Sequence, residues 1–182
     1  MDIVKQIDQH TKSLVDRLVN SSLEQRKSLA ISILGFYFQL PKFKETIHKY
    51  IGIKVSRDQL ISAIDSGQIQ NYQEAIEKSN ADIDVYADNY VEPEQIEIFI
   101  LDAFANASSD LKFTTKVVAL FIGIIDILDY YVNFSDRSEF WNNLLEKEVE
   151  FQNEVLDRLQ LKQTFDAYMY QKRYKKVDFT EL

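Results

Sequence analysis

TKVVALFIGIIDILDYYV, residues 115–132, decides the fold. Read at helical spacing it is apolar nearly all round, the pattern of a helix enclosed by other helices rather than one lying at a surface. It is therefore expected at the centre of a bundle. Its longest uninterrupted apolar run, Val117 to Ile125, stops at Asp126, short of the roughly 20 residues that a bilayer crossing needs. No membrane partner is expected from it. Asp126 and Asp129 lie three apart and share an edge. A buried, unpaired carboxylate is costly, so that edge is expected at the solvent rim.

The rest of the chain supplies the enclosing helices. Twelve Phe and ten Tyr provide bulk for a core, while only four Gly and two Pro leave little of the turn chemistry that strands need. With 182 residues, the expectation is one all-α domain over 1–182, a compact bundle of seven to eight helices. The first runs from Asp2 to about Val19, and the second from Leu23 to Gln39 behind a capping Ser21-Ser22 pair. Pro41 is expected to open the third, which Gly52 ends. Ser56 caps a fourth, Gly67 interrupts, and Gln68 to Lys78 forms a fifth. SNADIDVYADNYVE, Ser79 to Glu92, reads as the one long loop. Pro93 is expected to start the sixth helix, to about Ala107. After the central helix, Ser135 or Asp136 begins a long C-terminal helix reaching about Arg173, with a basic tail at 170–182.

Charge is distributed unevenly. From Ser79 to Leu111 there are Asp82, Asp84, Asp88, Glu92, Glu94, Glu97, Asp102 and Asp110 and no Lys or Arg, which equals the whole formal charge of −8. YQKRYKK, 170–176, carries four positive charges that would complement the negative end of a long helix. A chain that is acidic overall repels phosphate, so nucleic acid is not an expected partner. Zero cysteine removes disulfides and thiolate sites. MDIVKQIDQHTK has no apolar core of the secretory kind, and a cytoplasmic location is expected.

Motifs that carry chemistry are incomplete. Glu45-Thr46-Ile47-His48 has the spacing that puts two metal ligands on one helical face, but a di-metal bundle needs that motif twice, and the other histidine, His10, has Ile7 three residues before it. Asp82, Asp84 and Asp88 imitate positions of a calcium loop in which Ala87 replaces the turn glycine and Pro93 the bidentate Glu. No glycine-rich phosphate loop or Gly-x-Ser-x-Gly occurs. No catalytic, cofactor-binding or metal-ligating set is assigned.

EKEVEFQNEVLDRL, 146–159, places an amide where a core residue belongs. Leu145, Val149, Gln152, Leu156 and Leu159 share one face, and Leu144, Glu148, Phe151, Val155 and Leu159 a second. Three readings stay open. Gln152 is a buried hydrogen bonder that fixes register between helices, one wall of a polar pocket formed with Glu148 and Asp102, or an exposed residue on a helix whose buried stripe lies slightly to one side. Glu146, Glu148, Glu150, Gln152, Glu154 and Leu159, with Val149, Phe151, Val155 and Leu156 between them, resemble the C-terminal motif of the YjaG-like domain of unknown function, a bacterial all-helical family. Leu23 to Gln25, Pro41 and Phe43, YQEAIEKSNADIDVYA (72–87) and Leu101-Asp102-Ala103 follow its landmarks in the same order, over about residues 14 to 160. Gly35 and Phe36 depart from it, standing where members often show Cys-Glu, and the stretch between Leu60 and Tyr72 is short. The resemblance implies a compact helical bundle and no particular reaction.

Two functions follow as expectations. One is a noncatalytic protein that binds a basic partner through Asp82, Asp84, Asp88, Glu92, Glu94 and Glu97, in the manner of an immunity protein neutralising a cationic toxin. The other is a small-molecule or metal-dependent enzyme with two or more of Asp102, Asp126, Asp129 and Glu148 brought together in one pocket.

Overall fold

Ser22 and Ser56 start two helices by the same device: each hydroxyl accepts from the backbone N–H three residues on, while Gln25 or Gln59 reaches back to the serine N–H. The computed structural model describes residues 3–84, 86–88 and 90–181, and of residues 3–6 and 8 the backbone only. Asp2, the expected first helical residue, Val85 and Asn89 in the acidic stretch, and Leu182 at the end of the tail lie outside the described residues. Among the described residues there are nine α-helices and no strand, and 71% of those residues are helical. They are α1 (Ile3–Val19), α2 (Leu23–Tyr37), α3 (Phe43–Ile51), α4 (Arg57–Ser66), α5 (Gln70–Asp82), α6 (Gln95–Ala107), α7 (Thr114–Phe134), α8 (Ser138–Gln160) and α9 (Met169–Tyr174).

α7 is the centre, packing against α8, α6, α1 and α2. Its 21 residues exceed the Val117–Ile125 run, and by length and composition alone it is long and apolar enough to cross a membrane. Here those residues build a core instead: Leu120, Phe121, Ile124, Ile125, Ile127 and Leu128 are buried. Asp126 and Asp129 fall on its solvent edge. Gly123 lets α2 approach α7, because an added Cβ would collide with the Tyr37 hydroxyl, which donates to the Leu120 carbonyl at 2.7 Å.

Four boundaries differ from expectation. Pro41 and Pro93 stand outside the helices they were expected to begin. α3 starts after Lys42, which turns the chain at φ 61, and α6 starts after Glu94, whose capping box with Glu97 supplies the start signal. α5 continues to Asp82, so the long loop begins at 83. The long C-terminal helix is the largest correction, and it accounts for nine helices instead of eight. It stops at Gln160, turns with Lys162 at φ 55, and resumes as the short α9, which folds back onto α2.

The basic tail is consequently part of the core. Tyr170 and Tyr174 are fully buried, and Phe179 joins Phe36, Tyr131, Trp141 and Tyr174 in one aromatic cluster, with Tyr131 stacked on Trp141 at 4.3 Å. Gly35, at the departure from the family landmarks, permits this docking. A Cβ there would lie 2.9 Å from the Gln171 backbone nitrogen.

Candidate functional site

Glu148 and Gln152 stand one turn apart on α8, and both are completely buried. Their side chains are bonded, Gln152 Nε2 donating to Glu148 Oε1 at 3.0 Å. Four donors converge on the Glu148 carboxylate: Gln152 and the Tyr170 hydroxyl (3.0 Å) on Oε1, and the Tyr174 hydroxyl (2.7 Å) and Arg173 Nε (3.0 Å) on Oε2. Tyr170, Arg173 and Tyr174 share one face of α9, at i, i+3 and i+4. Arg173 also donates to the Lys147 carbonyl at 2.8 Å and lies 4.1 Å over the Phe151 ring.

The network extends through Gln152 to α7 and α1. Its amide nitrogen has two acceptors, Glu148 Oε1 and the Phe121 carbonyl at 3.1 Å, so both amide hydrogens are committed. Its oxygen must then accept from His10 Nε2, 2.7 Å away, which assigns the proton to that ring nitrogen. His10 is itself buried, and its Nδ1 meets the exposed Asn153 at 3.2 Å.

Burial pushes the Glu148 carboxyl up from its ordinary value, against the opposing pull of Tyr174, Arg173, Gln152 and Tyr170. Burial, and then the Glu148 charge, push Tyr170 and Tyr174 well above the usual phenol value, so both remain neutral donors. With each carboxylate oxygen taking two donors, nothing in the arrangement offers Glu148 to a substrate. Its chemistry is that of a clasp joining α8, α9, α7 and α1.

Asp102 is not part of this cluster. It is exposed on α6, and α7 packs between α6 and α8. The expected three-residue pocket therefore reduces to Glu148 and Gln152, joined by four residues that sequence reasoning missed: His10, Tyr170, Arg173 and Tyr174. The available signal was the 170/173/174 face, which an assumed long helix hid. Glu45 and His48 are both exposed. Among the described residues no group of three or more His, Cys, Asp or Glu side chains is placed to hold a metal ion.

The acidic stretch runs from the end of α5 to the start of α6. Asp82, Asp84, Asp88, Glu92 and Glu94 are exposed, and none forms an ion pair among the described residues. Glu97 departs from expectation. It is half-buried and held by Lys49 Nζ at 3.0 Å, the Tyr50 hydroxyl at 2.7 Å and the Glu94 N–H at 2.9 Å, so it ties α3 to α6 and is not a free surface charge. Beside the acidic stretch lies a groove of roughly 570 Å³ with Tyr50, Ile51, Ile76, Leu101 and Ala105 in its walls. Apolar side chains crowd its vicinity in the open: Tyr86 is 93% exposed, Val91 61% and Ile83 53%.

Comparison of the chain with protein-family models, with curated proteins and with solved structures returns no match. The YjaG-like resemblance accordingly rests on the sequence landmarks alone.

Proposed function

We propose that this protein is a noncatalytic helical binding protein whose acidic face captures a basic protein partner. One observation supports the reading above all: five carboxylates, Asp82, Asp84, Asp88, Glu92 and Glu94, lie exposed and without ion pairs among the described residues, in a stretch without a single Lys or Arg. A field of one sign speeds encounter with an oppositely charged partner and orients it, although exposed charges add little to fold stability. Neutralisation of a cationic toxin is one role with this requirement. The YjaG-like assignment is part of the same proposal and brings no reaction with it.

The test compares two baits, the wild-type chain and the triple variant Asp84→Lys, Asp88→Lys, Glu92→Lys, in affinity capture at low and high salt. Basic proteins retained by the wild type at low salt should be lost by the variant, whose circular dichroism should be unchanged. Equal capture by both baits across the salt series would remove the electrostatic reading.

A further inference from the structure

We infer that the groove beside α5 and α6 seats the apolar side chains of a basic amphipathic helix from the partner. This inference rests on the binding role proposed above and names the chemistry of the contact. The groove joins apolar walls with an uncompensated negative rim. Ile51, Ile76, Leu101 and Ala105 are only half-buried, and Ile83 and Val91 extend the same apolar surface into solvent. An apolar patch rimmed by charge is the mark of a docking surface.

The rim carries Asp82, Asp84 and Asp102. The groove's lining includes one cation, Lys49, whose charge is taken by Glu97 at 3.0 Å. The Asp102 carboxylate, in contrast, has neither hydrogen bond nor ion pair among the described residues. A Lys or Arg flanking the apolar anchor would lie against that carboxylate and pair with it. With no strand edge among the described residues to pair with a backbone, the contact is made by side chains entering a groove between helices, which is the way an amphipathic helix docks. The same charges disfavour other occupants. An anionic lipid surface or a nucleic acid would be repelled, and a second copy would set Asp82 and Asp84 against each other across a symmetric contact.

Two labelled synthetic peptides of equal length and charge separate this inference from the broader reading: a Lys/Leu amphipathic helix and a Lys/Ser peptide without an apolar face. Fluorescence anisotropy with the full chain should show the Lys/Leu peptide binding roughly tenfold or more tightly, the gain from burying one large apolar side chain. Ala105→Trp, which fills the groove, and Val91→Ser, at an exposed position that the fold does not need, should each erase the advantage and leave Lys/Ser binding unchanged. Equal affinities for the two peptides would overturn the groove and leave the charge reading standing. An advantage that survives both variants would likewise overturn it. Absence of binding by either peptide at low salt would remove the charge reading and the groove together.

Discussion

Gln152→Leu tests whether the buried amide is a structural clasp. The substitution preserves the helix and most of the volume but deletes three hydrogen bonds, to Glu148, the Phe121 carbonyl and His10. These losses are unequal. The Phe121 carbonyl lies inside α7 and keeps its intrahelical bond, and Glu148 keeps three donors. His10 Nε2–H is left buried without an acceptor, which costs about 1–3 kcal/mol, and the lost bond to a carboxylate about as much again. The better helix propensity of Leu returns only a few tenths. The expected destabilisation is therefore on the order of 3 kcal/mol. In urea unfolding followed by circular dichroism at neutral pH, with a slope of about 2–3 kcal/mol/M, the midpoint should fall by roughly 1 M without a change in slope. In a His10→Leu background the same substitution should cost at least about 1 kcal/mol less, since the orphaned donor is gone. A Gln152→Leu protein within about 0.5 kcal/mol of wild type would refute the account.

Glu148 makes a prediction in pH. Burial raises its carboxyl above the ordinary value of 4.5, so the folded protein holds that proton more tightly than the unfolded chain. The stability of wild type relative to Glu148→Gln should therefore increase as pH falls from above the folded value toward the ordinary one, in urea titrations at a series of pH values. A difference that instead grows with rising pH would mean that the four donors outweigh burial. Gly123→Ala should destabilise by about 1–3 kcal/mol through the collision with the Tyr37 hydroxyl. Most of that cost should vanish in a Tyr37→Phe background, where the Cβ meets only the ring carbon at 3.6 Å, and an undiminished cost in thermal unfolding would count against the packing.

The helical class and the central position of α7 were legible because both rest on local periodicity and composition. Ser22, Ser56, Gly52 and Gly67 marked their boundaries correctly for the same reason. The break after Gln160 was not legible. Leu156, Leu159, Tyr170 and Tyr174 fall on one helical stripe, and no Gly or Pro marks the turn, which Lys162 makes in a left-handed conformation that propensity disfavours. Missing that break hid how α9 meets α8, and with it the partners of Glu148. The role of His10 is hidden in the sequence because its bond to Gln152 joins positions 142 residues apart. Asp102 was drawn toward Glu148 by chemistry alone, with nothing local to reveal that α7 separates them. Glu97 resembled its acidic neighbours until Lys49 and Tyr50 were found on it.

The clasp on Glu148 also imposes an order of assembly. Three of its four donors, Tyr170, Arg173 and Tyr174, come from α9, and all of α1 to α8 is synthesised before any of them exists. Until α9 docks, the carboxylate has one protein donor, Gln152, and its remaining hydrogen bonds must go to water. Phe36, Tyr131 and Trp141 lack their Tyr174 and Phe179 contacts during that interval. Burial of the carboxylate and cover of the aromatic cluster thus depend on the same short helix.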